Sequence, residues 1–174
     1  MNIQLFRVIR PSCVRSANRT KCKTLMLLTA TTVLATLPIS VGLSAQQFTT
    51  IDVPGATATF ALSTNPPGDI VGDYQDSRGN SHGFLLRKGK FTTIDVPGAT
   101  HTEAIGINPP GDIVGFYDDR SGNSHGFLLS KGKFTTIDVP GAVYTEADAI
   151  NAQGDIVGTY ADSSGNEHGF LLSK

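Results

Sequence analysis

Two pentapeptides in this chain have the form of a hydrolase elbow. Gly79-Asn80-Ser81-His82-Gly83 and Gly122-Asn123-Ser124-His125-Gly126 both match G-x-S-x-G. In hydrolases that use the motif, the serine sits on a strained strand-to-helix turn, and an acid and a histidine from elsewhere complete the relay. Here the serine stands in a turn that enters a strand, the motif occurs twice, and the third copy carries Glu167 in its place. A nucleophile is needed once, so the motif reads as scaffold and no enzymatic activity is expected. His82, His125 and His168 are the next candidates, because three imidazoles can hold zinc. They occupy equivalent positions, however, and only convergence on a three-fold axis would bring them within ligand distance, about 2 Å, of one ion. A histidine hydrogen-bonded to its own turn in each copy is the expectation. The acidic turns at Asp76–Asn80, Asp118–Asn123 and Asp162–Asn166 offer oxygen ligands for calcium. They lack the D-x-[DN]-x-[DN]-G spacing and the bidentate glutamate downstream, and Asp and Asn before Gly is what a hairpin turn requires. No metal and no other cofactor is expected.

The remaining candidates are defined by variation. Within an otherwise constant repeat, one stretch reads Ala58-Thr-Phe-Ala-Leu-Ser63, then His101-Thr-Glu-Ala-Ile-Gly106, then Tyr144-Thr-Glu-Ala-Asp-Ala149. His101, Glu103, Tyr144, Glu146 and Asp148 are thus polar or aromatic novelties. On an inner strand they would cluster at a central channel or face and form a ligand-binding surface; ordinary drift at exposed positions is the simpler reading of the same pattern.

The elements that must position these residues come from a triplicated unit. FTTIDVPGA begins at Phe48, Phe91 and Phe134, a period of 43 residues, and the strings around GDIVG and HGFLL recur at the same spacing. The repeats are 48–90, 91–133 and 134–174. Val-Pro-Gly, Asn-Pro-Pro-Gly, Asp-Ser-Arg-Gly-Asn and Lys-Gly-Lys punctuate the first unit and imply four short strands, FTTID, TFALST, DIVGDY and HGFLLR. A turn signal about every ten residues is the cadence of an all-β array, and no stretch carries a sustained helical period. The expected fold is all-β, with three tandem four-stranded repeats as propeller-like blades; a β-trefoil or β-prism is the alternative, since propellers usually have about four to eight blades. If each blade begins at the TxA strand, FTTID is its outermost strand, and the FTTID at 48–52 is expected to pair with the last unit and close a ring, within one chain or in a homodimer of six blades.

Ahead of the repeats stands a different segment. Residues 1–45 contain six of the 14 basic residues, both cysteines and no acid. The apolar run LMLLTATTVLATLPISVGL at 25–43, followed by Ser44-Ala45, has the order of a secretory signal. Residues 1–45 are therefore read as a signal peptide and 46–174 as the β-repeat domain, with a secreted, extracellular or periplasmic location; membrane attachment would require the leader to stay uncleaved. Beyond residue 45, eight basic residues face all 15 acidic ones, a balance of −7. That argues against nucleic acid or an anionic membrane surface as partner, since both call for basic patches, and the lack of cysteine excludes disulfides and thiolate zinc sites there.

Asn108–Gly115, INPPGDIVG with the preceding Ile107, followed by His125-Gly-Phe-Leu128, and the parallel strings in the other units, resemble the extracellular repeats of the HAF family of exported bacterial proteins. The resemblance covers 48–174, with Gly83, Gly126 and Gly169 where the family name implies Ala. It implies an exported, propeller-like repeat protein with no established enzymatic activity, in a family whose members often carry more repeats, so that three repeats imply a short array or a truncated one. The functional expectation is a non-catalytic binding module for a carbohydrate, peptide or cell-envelope component, with a purely structural or self-associating module as the alternative and a secreted hydrolase behind both.

Overall fold

The structure is a computed structural model that describes residues 46–173, so the export-leader reading of 1–45 lies outside the described residues. All regular structure in it is strand. Sheet 1 is β1 (Ala58–Thr64), β2 (Ile70–Gln75), β3 (Ser81–Arg87) and β4 (Lys90–Ile94). Sheet 2 repeats it as β5 (His101–Ile107), β6 (Ile113–Asp118), β7 (Ser124–Ser130) and β8 (Lys133–Ile137). Sheet 3 has β9 (Tyr144–Ile150), β10 (Ile156–Ala161) and β11 (Glu167–Leu172). Each is an antiparallel meander in chain order.

Turn chemistry accounts for the meander. Lys88 and Gly89 both have positive φ, 51° and 76°, and join Arg87 to its partner Lys90. Positive φ at both central residues is the type I′ geometry that matches strand twist. The Asp76 carboxylate accepts hydrogen bonds from the Arg78 and Asn80 backbone N–H groups at 2.8 and 2.9 Å and so pins the β2–β3 turn. Asp119 and Asp162 do the same one and two repeats later. In the middle of each sheet a glycine permits close strand approach: a Cβ on Gly115 would lie 1.9 Å from the Glu103 carbonyl oxygen. A bulge between Ala104 and Gly106 turns the first strand at that level.

The sheets stack face to face in sequence. The front of sheet 1, with Val71 and Ile94, packs on the back of sheet 2, with Ala104, Ile107, Ile113 and Phe127. The front of sheet 2, with Val114 and Ile137, packs on Ala147, Ile156 and Phe170 of sheet 3. The first strands β1, β5 and β9 are successive neighbours on one side of the stack. No substantial contact joins sheet 3 to sheet 1 among the described residues. The two inter-sheet cores are built from the same repeat positions, which is why the period of 43 survives in three dimensions.

Two expectations need correcting. The segment 48–52 forms no strand, Phe48 is 92% exposed, and sheet 3 has three strands rather than four. Among the described residues the chain therefore does not close on itself. Residues 91–94 and 134–137 become strands because they hairpin onto β3 and β7 through Lys-Gly turns; among the described residues, 48–52 has no such preceding strand. A compact three-fold trefoil or prism does not form either, because the third sheet never returns to the first.

Candidate functional site

The five variable residues fall on the two first strands β5 and β9. His101 and Glu103 alternate with buried Thr102 and Ala104, so they share the front face of sheet 2. The His101 Nε2 lies 3.0 Å from Glu103 Oε1, and its ring stacks on Phe116 of β6 at 5.5 Å. The Glu103 carboxylate is the chief reason the His101 pKa is raised, against the opposing effect of burial. On β9, Tyr144 donates its hydroxyl proton to Glu167 Oε1 at 3.1 Å. Burial first, and then Glu167, push the Tyr144 phenol up.

Glu146 and Asp148 are both raised, chiefly by burial, and Glu146 also feels the negative charges of Asp148, Glu103, Asp118 and Glu167. The structure thus puts His101 in contact with Glu103, and Tyr144 in contact with a residue outside the set. Glu146 and Asp148 join the others through their field.

Sequence reasoning missed Asp73, Phe116, Asp118 and Glu167. Asp73 of β2 is 7% exposed, and burial with the nearby Glu103 charge lifts its pKa to about 6, despite the favourable His101. A signal existed: the equivalent residues in the next two copies are Phe116 and Thr159, so the strand after the first also varies. It was obscured because the surrounding GDIVG string is nearly constant.

The constant polar residues serve the frame. His82 Nδ1 lies 2.9 Å from Asp95 Oδ1, with its other nitrogen 3.6 Å from Asp76 of its own turn, and the ring stacks on Tyr74 at 5.3 Å. His125 repeats this with Asp138, Asp119 and Tyr117. His168 lies 3.2 Å from Asp162 and against Tyr160. Each histidine therefore ties the turn before its strand, and the first two also tie the strand after it. The turn carboxylates are held well below the usual range by Asn80 in the case of Asp76 and by Asn166 in that of Asp162. Asn123 holds Asp119 down to about 2. Among the described residues no group of three or more His, Cys, Asp or Glu is disposed to hold a metal. Ser124 donates to Asp118 Oδ1 at 2.5 Å and has no histidine as hydrogen-bond partner.

A second missed element is an asparagine ladder. Asn65 Nδ2 donates to the Asn108 carbonyl oxygen at 3.1 Å, and Asn108 Nδ2 to that of Asn151 at 3.2 Å. Each bond spans one repeat and stitches neighbouring loops together. No family model matches the chain, and no curated protein matches it in sequence.

Proposed function

We propose that this chain is an exported, non-catalytic β-repeat module of the HAF-like extracellular type. Its sheets are arranged as propeller-like blades, and the faces of their first two strands bind a carbohydrate of the cell envelope. The observation that carries this reading is a local departure from the repeat. The frame is nearly invariant across three copies, yet the first two strands exchange Ala58, Phe60 and Asp73 for His101, Glu103 and Phe116, and then for Tyr144, Glu146 and Thr159. Asp73, Glu146 and Asp148 on these strands have raised pKa values, which means that the fold tolerates their charge at a cost. Burying an acid among acids does nothing for packing, and perturbed carboxylates gather where ligands are met.

The chemistry suits a sugar. Carboxylates accept paired hydrogen bonds from vicinal hydroxyls, while the stacked His101–Phe116 pair and Tyr144 supply ring faces for the apolar side of a pyranose. A glycan array probed with wild type, His101→Ala and Tyr144→Ala tests the reading. Both variants should lose signal for the same glycans. Wild-type binding by both would remove this face from consideration, and selective capture of cationic peptides instead would replace the sugar as ligand.

A further inference from the structure

We propose that the uncovered faces of sheets 1 and 3 are two halves of one interface, and that a second copy of this chain fills them head to tail. The front of sheet 3 in one copy meets the back of sheet 1 in the other, and residues 48–52 of that other copy lie beside β11 as its fourth strand. Two such contacts close a pair of chains into a ring of six sheets.

The internal interfaces specify this contact position by position. Val71 and Val114, on the fronts of sheets 1 and 2, are fully buried by the next sheet; their counterpart Val157 is 45% exposed and Leu171 beside it 66%. On the other side, Ala104 and Ala147 are fully buried, whereas their counterpart Ala61 is exposed. Each uncovered face is therefore a repeat of a surface that the fold already buries against the other. Such a front-to-back contact is heterologous, and it gives a closed ring when its rotation permits.

The segment 48–53 is already held where the contact needs it. The Val53 N–H donates to Thr59 Oγ1 at 3.1 Å, as Val96 does to Thr102 and Val139 to Thr145. Ile51 lines a cavity of about 240 Å³ with Ala61, Thr64 and Ile70, as Ile94 packs with Ala104, Ile107 and Ile113. Among the described residues, what 48–52 lacks is a strand to pair with, and the outer edge of β11 pairs with none. A Cβ on Gly83 or Gly126 would meet the carbonyl oxygen of Ile94 or Ile137 at 3.0 Å; on Gly169 it meets nothing nearer than 3.9 Å. The register follows from Gly83↔Ile94 and Leu86↔Phe91: Gly169 opposite Ile51, Leu172 opposite Phe48.

Three more contacts then fall into place. Phe48 reaches Phe170, as Phe91 meets Phe84 and Phe134 meets Phe127, edge to face at 5.5 and 5.6 Å. Asp52 reaches His168, as Asp95 reaches His82 and Asp138 reaches His125. Asn151 donates to the Asn65 carbonyl and continues the ladder. The assembly is independent of what the first strands bind.

Light scattering on the full chain tests it, with far-UV circular dichroism confirming that each variant is folded. Wild type should give twice the 18.4 kDa chain mass. Val157→Glu/Leu171→Glu, which blocks the front of sheet 3, and Ala61→Glu, which blocks the back of sheet 1, should each give a single-chain mass. Mixed together, they should recover the doubled mass, because each retains the half that the other has lost. Phe48→Ser, at a residue that touches almost nothing in the single chain, should weaken association at least tenfold. The proposal is overturned by a wild type that stays single at every concentration, or by a doubled mass insensitive to these substitutions, as association through residues 1–45 would give. It is equally overturned if either blocked variant pairs with itself, if the mixture stays single, or if mass grows beyond two copies.

Discussion

Replacing Asn108 by alanine removes a side chain that is 1% exposed and makes four hydrogen bonds. Its Oδ1 accepts from the Gly111 and Asp112 backbone N–H groups at 3.0 and 2.8 Å, and its Nδ2 donates to the Asn151 carbonyl and to Asp112 Oδ2 at 3.2 and 3.3 Å. Some of these losses are cushioned. Gly111 N–H keeps the Asn108 carbonyl oxygen, and the Asn151 carbonyl keeps the Gly154 N–H. The uncushioned loss is the acceptor for the Asp112 N–H, together with a side-chain link between the loops of sheets 2 and 3. One buried group stripped of its partner costs about 1–3 kcal/mol and an ordinary lost bond about 1 kcal/mol, so Asn108→Ala should destabilise by roughly 2–4 kcal/mol. For a domain of this size that lowers Tm by roughly 8–16 °C. Asn151 provides the control. It makes the same turn contacts, at 2.9–3.0 Å, but is exposed, so that water replaces them. Asn151→Ala should therefore cost no more than about 1 kcal/mol. Both should be measured by urea denaturation and thermal melts in the Val157→Glu/Leu171→Glu background, which leaves the chain as a single copy. Equal losses for the two variants would refute the reasoning, since Asn108 differs from Asn151 in its burial between sheets and in its bond to the next repeat's carbonyl.

Asp73→Asn should stabilise the protein by about 3 kcal/mol at pH 7 and do nothing at pH 3, because a pKa raised from 3.8 to about 6 makes ionisation between those values unfavourable to the fold. Urea curves at the two pH values check it, and a parallel loss of glycan binding would show why the acid is kept. Gly115→Ala should prevent formation of sheet 2, or cost more than about 4 kcal/mol, because its Cβ would sit 1.9 Å from a backbone oxygen; circular dichroism and solubility report this. The His125 pKa is raised above 6.5, first by Asp138. Its contribution to stability is thus complete below pH 6.5 and disappears as pH rises through the raised value. Asp138→Asn should weaken that dependence in thermal melts, leaving the smaller part due to Asp119, and bring the His125 NMR titration midpoint down. At the acid end, the depressed carboxyls of Asp76, Asp119 and Asp162 contribute stability that is complete above about pH 4. It is lost as pH falls toward their depressed values, and a steep drop in Tm between those limits is the expected readout.

The triplicated frame was legible because its signals are local. Lys88-Gly89 forces a two-residue hairpin, Asp76 and Asn80 close a turn on their own backbone, and alternating apolar residues mark half-buried strands. Each of these works within about ten residues, so spacing alone locates eleven strands, and the variable first-strand residues stand out against the constant background. The turn contact of His168 was legible for the same reason, whereas His82 and His125 make their closer contacts, at 2.9 Å, to Asp95 and Asp138. Long-range relations were not. Asp73 looked like part of a constant string, and only the packing of β2 beside β5 brings it toward Glu103. The asparagine ladder joins residues a whole repeat apart, and nothing in NPPGD announces which carbonyl will receive the amide. Above all, the pattern FTTID determined that 48–52 is a strand-competent segment, and tertiary structure decided that it is not a strand in the single chain. A β-strand exists only against a partner with free N–H and C=O groups, and the edge of β11 that offers them lies beyond this segment's reach within one chain.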